Sequence, residues 1–155
     1  MSALRSEPTT KQVGAAERAR QLSDLIAAHC EHGEQHARLA PEVVEACRAA
    51  GLFALTVPEE VGGLEAPLVD AVRALDIVAS VDPAVAWYMM NSVPLGRMVA
   101  RVDRRHWKTV LAQPLGNFGY SVVPGQARAV DDGYLLSGDW PLMTGVDDAD
   151  WCVVF

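Results

Sequence analysis

The chain has 155 residues, 50% hydrophobic and 21% charged, with 13 Lys and Arg against 20 Asp and Glu and a formal net charge of -7. That length holds one domain and part of a second, and the apolar share lets burial offset chain entropy, which excludes wholesale disorder. The acidic balance gives a phosphate backbone no attractive field and argues against nucleic-acid binding; the longest uncharged stretch, residues 83–96, is too short and polar to span a bilayer.

The first dozen residues carry no apolar period and read, to residue 14, as a flexible N-terminus. From Ala15 the positions Ala19, Leu22, Leu25 and Ile26 recur at three- and four-residue steps, which predicts a helix that Gly33 terminates. Pro41 suits a first helical turn, Val43, Val44, Cys47 and Ala50 form one apolar side, and Gly51 offers a left-handed stop. Residues 52–57 then run apolar into a loop, where Gly62 and Gly63 permit a sharp turn. Pro67 opens a third helix with Leu68, Ala71, Val72, Leu75, Val78 and Ala79 on its apolar face. Asp82 and Pro83 read as cap and first-turn proline of a fourth, whose residues 84–90 are apolar on nearly every side and predict a central helix covered by neighbours. Asp103 caps a further short helix, residues 104–113.

After Asn117 the character changes. Residues 118–123, 127–130, 134–137 and 151–155 are short β-rich runs, separated by Pro124-Gly125 and Asp131-Asp132-Gly133 turns. Helices first and strands afterwards predict an α+β chain: an all-α helical domain over residues 15–116, followed by the beginning of an antiparallel β-domain over residues 117–155. The last run stops at an apolar strand residue, and a few strands neither close a sheet nor protect its edges, so the chain is expected to be the N-terminal part of a longer protein.

Three cysteines, Cys30, Cys47 and Cys152, are an odd number without paired spacing, and the N-terminus has no apolar signal core; a reducing cytoplasm is the expectation, with the thiols as small hydrophobes. His29, Cys30, His32 and His36 carry metal-ligating chemistry, but their spacing matches no strong pattern and Glu31 and Glu34 mark a solvated surface, so no metal site is assigned. No Gly-x-Ser-x-Gly elbow occurs, His106 has no evident partner, and a phosphate-cradling glycine loop is missing. The most informative stretch is residues 134–145, which read as strand, glycine bend, strand and a polar turn, an arrangement that presents the Thr144 hydroxyl and backbone N–H groups to a flat ligand.

Two segments resemble the acyl-CoA dehydrogenase superfamily of flavoproteins. One is Gly51-Leu52 through Val57-Pro58-Glu59 to Gly62-Gly63; the other is Gly138-x-Trp140-x-x-Met143-Thr144-Gly145 with Ala149-Asp150-Trp151 downstream. The resemblance covers roughly residues 15–155. It implies FAD or FMN as cofactor, a C-terminal helical bundle absent from this chain, and a homotetramer. It also implies that Thr144 meets the flavin's reactive ring nitrogen, that Tyr120 and Ser121 lie on the strand along the flavin, and that Leu142 and Met143 flank it, Leu142 where many members place an aromatic residue. Trp87, Met90 and Asn91 of the fourth helix are the implied substrate pocket.

The family's dehydrogenases usually read Thr-Glu-Pro and a Gly-Ser-Asp turn where this chain has Ser121-Val122-Val123-Pro124-Gly125 and a shorter loop, and a lysine at Trp140. Those departures, with Ala86-Trp87, are similar to the monooxygenase branch, which uses reduced flavin and oxygen on aromatic or steroid-like rings. A small-molecule substrate and a flavin reductase are then the implied partners. Two alternatives stand beside it: a dehydrogenase acting on the α,β bond of an acyl-CoA, and a non-catalytic helical interaction module. The family's catalytic glutamate lies in the C-terminal bundle, so no catalytic residue is assigned.

Overall fold

The computed structural model describes residues 13–99, 103–106 and 117–155. The expected flexible terminus therefore falls, but for Val13 and Gly14, outside the described residues, as do residues 107–113 of the expected short helix. What is described of that helix is one 3-10 turn, Arg104–His106, capped through the Arg105 N–H on the Asp103 carboxylate at 3.1 Å.

Helix α1 (Ala15–His36) begins without a local side-chain cap. Its first amide instead donates to the Asp70 carboxylate at 2.8 Å, so an anion from 55 residues away occupies the positive end of the helix. The helix runs through Gly33, contrary to the expected stop, and ends at Ala37, which takes the left-handed conformation at φ 51. An interior glycine costs about 1 kcal/mol against alanine, little enough for the surrounding turn to absorb; a Gln35–Glu31 side-chain bond of 2.8 Å supports that turn. Helix α2 (Pro41–Ala49) follows the expectation, with Pro41 in the first turn, Val43, Val44 and Cys47 buried, and Gly51 left-handed at φ 74.

The next segment is held by backbone bonds rather than by a helix. Leu64, Glu65 and Ala66 donate to the carbonyls of Ala54, Val57 and Leu55 at 3.1, 2.9 and 2.8 Å, folding residues 58–66 back onto the apolar run. Gly62 supplies the left-handed turn at φ 93, and at Gly63 a Cβ would fall on the Val57 carbonyl. The paired glycines are therefore a packing requirement of the first motif.

Helix α3 (Leu68–Ala79) buries Ala71, Ala74 and Val78, while Leu68 and Val72, expected on the buried face, are exposed. The face is rotated because α3 packs mainly on α1, where Ala15, Ala16 and Ala19 are the buried residues; small side chains on both helices let the backbones approach. Helix α4 (Pro83–Val99) starts as expected, with Asp82 Oδ1 accepting the Ala84 and Val85 amides at 2.8 and 3.4 Å. It is not covered all round. Val85, Ala86, Tyr88 and Met89 are buried, whereas Trp87 is 56% and Met90 41% exposed. Pro94 interrupts its hydrogen-bond ladder, and the Thr56 hydroxyl donates to the Val93 carbonyl beside it at 2.6 Å.

Strand β1 (Asn117–Ser121) pairs with β4 (Ala149–Val154), and β2 (Gln126–Val130) with β3 (Gly133–Ser137) through the Asp131-Asp132 turn. The expected antiparallel pairing holds for β2 and β3, but β1 and β4 run parallel. The intervening hairpin and residues 138–148 are long enough to return the chain and lay β4 in the direction of β1. No second strand follows the Gly138 bend. Residues 138–143 instead bring Trp140 back, its indole N–H donating to the Val123 carbonyl at 2.9 Å and its ring filling the space beside Gly125 and Gly138, where a Cβ would stand 2.5 Å from it.

Two outcomes follow from this packing. Gly63→Ala should destabilise the protein by about 2 kcal/mol or more, read as a fall in thermal midpoint, because the Val57 backbone cannot yield. Burial pushes the Cys47 thiol up to about 12, so the native protein should resist alkylation there at mildly alkaline pH while unfolded protein reacts promptly. Because the thiol keeps its proton in the fold above the unfolded value of 9.0, its contribution to stability is complete below that pH and is lost between it and about 12.

Candidate functional site

The site forms where α4 meets the segment between β3 and β4. Residues Val146–Asp148 make a 3-10 turn after Gly145, which is left-handed at φ 71. The Val146 amide donates to the Met143 carbonyl at 3.3 Å and the Asp148 amide to the Gly145 carbonyl at 3.1 Å, which sets Thr144 at the outer corner of a tight loop.

Three groups hold that corner. Tyr88 of α4 is buried, tilted against Phe53 with ring centroids 5.0 Å apart, and donates its hydroxyl to the Gly145 carbonyl at 3.4 Å. Its ring occupies the volume a Cβ on Gly145 would need, so glycine is required twice over, by φ and by space. Trp87 donates its indole N–H to the Thr144 hydroxyl oxygen at 3.1 Å, and its own carbonyl receives the Asn91 amide at 2.6 Å. From the other side, Arg38 pairs with Asp148 at 2.7 Å, while Arg48 reaches the Asp148 carbonyl at 3.4 Å and the Asp150 carboxylate at 3.3 Å. The hydrogen bond and charge of Asp148 hold the Arg38 guanidinium above its ordinary pKa. A cleft of about 370 Å³ opens between the end of α1, the start of α4 and this corner; Gly33, Leu39, Ala84, Trp87, Arg38 and Thr144 are among its walls.

The residues expected along a flavin are distributed around this corner. Met143 packs on β1, where a Cβ on Gly119 would come 3.1 Å from its Cγ and Sδ. Ser121 is buried and accepts the Val123 amide at 3.3 Å; Tyr120 beside it is half-buried and pairs in register with Val153. Leu142 is 82% exposed. Of the expected pocket, Trp87 reaches Thr144 and Met90 is open, whereas Asn91 is buried and spends its amide N–H on its own helix. The histidines of α1 turn to their own backbone: His29 Nδ1 lies 2.9 Å from the Leu25 carbonyl and His36 Nδ1 2.9 Å from the His32 carbonyl. Among the described residues no group of three His, Cys, Asp or Glu side chains converges to hold a metal.

Sequence reasoning missed Arg38, Arg48, Asp148 and the docking role of Tyr88. The Arg38–Asp148 pair spans 110 residues, and no local pattern announces such a contact; Tyr88 read only as core.

Residues 10–103 match the family model described as acyl-CoA dehydrogenase, N-terminal domain, and the chain belongs to that family. It is 26% identical over 149 residues to the oxygenase component of p-hydroxyphenylacetate 3-hydroxylase from Acinetobacter baumannii, covering 95% of this chain and 35% of that protein. It is 31% identical over 119 residues to the flavin-dependent monooxygenase oxygenase subunit HsaA of Mycobacterium tuberculosis, covering 76% of this chain and 30% of the relative. The crystal structure of the HsaA monooxygenase superposes with TM-score 0.83 at 28% identity, over 91% of this chain and 38% of that one. XiaF from a Streptomyces species, in complex with FADH2 and glycerol, shares the fold at TM-score 0.85 and 23% identity, over 90% of this chain and 36% of that one. The chain thus spans about a third of the length of these relatives.

If the arginines hold the corner, Arg38→Ala should speed amide hydrogen exchange across residues 145–150 with almost no change in thermal midpoint, since exposed ion pairs add little to global stability.

Proposed function

We propose that the complete protein is the oxygenase component of a flavin-dependent monooxygenase that hydroxylates an aromatic or steroid-like ring. In this reading it is a cytoplasmic homotetramer and receives reduced FAD or FMN from a separate reductase. The names of the two curated relatives support the reaction class, since both are oxygenase components or subunits. No helix among the described residues is long and apolar enough to cross a membrane.

The observation that carries the reading is the state of the Thr144 hydroxyl. It accepts the Trp87 indole N–H, and among the described residues its own proton has no acceptor, so it remains available to a ring nitrogen placed against the corner. The surroundings suit a flat heterocycle in one respect: Leu142, two residues before Thr144, offers an open apolar face. Thr144 would hold the flavin edge by donating its proton, Tyr120 and Ser121 would line its length, and Leu142 and Met143 would pack on it. Trp87, Met90 and Asn91 would border the substrate. Reduced flavin, when bound, supplies two electrons to O2, one oxygen atom entering the ring as hydroxyl and the other leaving as water. A hydrogen bond from the Thr144 hydroxyl would orient the flavin edge and polarise the ring, which is the contribution this chain would make to that chemistry.

An acyl-CoA dehydrogenase is the competing reading within the same family. Against it stands the passage from β1 to β2, where Val122 to Gly125 form a short turn closed by the Trp140–Val123 bond and by the Gly125 amide on the Phe155 carbonyl. That turn offers no long loop to grip a coenzyme A thioester.

With the complete protein, reduced flavin supplied in air should convert a phenolic substrate to its hydroxylated product, followed by mass spectrometry. Anaerobic bleaching of bound oxidised flavin by an acyl-CoA thioester would replace this reading with the dehydrogenase. Residues 1–155 alone should bind flavin more weakly than the complete protein, because Leu142 and the hairpin leave one side of the corner open.

A further inference from the structure

We propose that the cleft between the end of α1, the start of α4 and the Thr144 corner selects ring substrates that carry a protonated amine, with Asp147 as the residue that sets this preference. The proposal rests on the monooxygenase reading of the corner and narrows its substrate class.

The walls of the cleft are mixed. Leu39, Ala84 and Trp87 supply apolar surface, and the volume of about 370 Å³ suits a single ring with a short substituent. Thr144 is a wall of the same cleft, so a ring held there lies beside whatever the corner binds. The charged walls are Arg38, Asp147 and Asp148. Arg38 is committed to Asp148 at 2.7 Å, and an anionic substituent would have to displace a carboxylate already in place. Asp147 is exposed and, among the described residues, makes no hydrogen bond and no ion pair. Behind the turn Arg48 is likewise occupied, by Asp150 at 3.3 Å and Glu45 at 3.9 Å. Four carboxylates therefore meet two guanidinium groups around this turn, and the surplus charge is negative.

The helix ends favour the same sign. Gly33 and Ala37 bring the C-terminal, negative end of α1 to one wall. The positive start of α4 would oppose a cation, but Asp82 already accepts the Ala84 and Val85 amides there. Trp87 is 56% exposed, and indole is the aromatic surface that best attracts a cation. An alkylammonium, charged at neutral pH as lysine is, thus meets a carboxylate without a partner, a negative helix end and an indole. A carboxylate on the same ring would be repelled by the first two.

The test uses the complete protein with reduced flavin present and oxygen excluded, and measures dissociation constants by equilibrium dialysis for phenols of similar size: tyramine, its neutral counterpart tyrosol, and p-hydroxyphenylacetate. Tyramine should bind roughly tenfold more tightly than tyrosol, and p-hydroxyphenylacetate more weakly than either. The preference should shrink as salt rises, because the charges are partly exposed. Asp147→Asn keeps the shape and removes the charge; it should bring tyramine close to tyrosol, whereas Asp131→Asn in the hairpin turn should leave the preference intact. Circular dichroism and thermal melts check that each variant folds. Equal or tighter binding of p-hydroxyphenylacetate, a preference that survives Asp147→Asn, or no binding of any of these phenols would overturn the proposal. The monooxygenase reading fails separately, as the absence of hydroxylated product when air is admitted to the phenol complexes, and that result would leave the charge preference of the cleft standing.

Discussion

The docking of Tyr88 on Gly145 is the contact on which the rest of the site depends. The tyrosine sits in the helical core against Phe53, and the glycine sits in a loop that belongs to the strands. Any side chain at residue 145 would displace the ring or push the loop away from α4. Because interiors are close-packed, such a contact admits one arrangement rather than a range of them. Thr144 inherits its place from that arrangement, and the hydrogen bond from Trp87 is possible only after it is made.

Charge adds direction to what packing fixes. Asp148 and Asp150 face Arg38 and Arg48, which come from just past α1 and from α2, so the segment after Thr144 is drawn toward the helical layer by charge as well as by the Tyr88 contact. The Arg48 Nε is buried without a partner among the described residues. A group left so costs free energy, which means the arrangement serves position more than stability. The acidic excess of the chain is put to the same use: the cap on α1 is Asp70, and that on α4 is Asp82.

Much of the helical half was legible in the sequence because its signals are local. Pro41, Gly51, Pro67 and the Asp82-Pro83 pair mark helix ends by backbone chemistry that neighbours do not overrule. Gly33 misled for the opposite reason: a single glycine is a weak stop, and α1 continued to a left-handed Ala37. The rotated face of α3 was hidden because alanine counts little in a hydrophobic pattern yet decides how near α1 comes. In the strands, alternation revealed the runs but not their partners, and the parallel β1–β4 pair depends on the whole intervening path. Thr144 was legible through a motif; the residues that hold it, 57 and more positions away, were not.

The two motifs that carry the family resemblance do different physical work. Gly62 and Gly63 close a turn inside the helical half and are needed for the backbone and packing there. Gly145 and Thr144 form the junction with the strands and are needed for the site. Trp140 departs from the family pattern between them, filling the space beside Gly125 and Gly138 and sealing the passage out of β1. A lysine there could not fill that space as a flat ring does, so the short turn at Val122 to Gly125 and the tryptophan belong together. Trp140 and the turn from Val122 to Gly125 are therefore a single packing solution, in which one flat side chain fills the space that two glycines leave and ties the turn by its indole N–H.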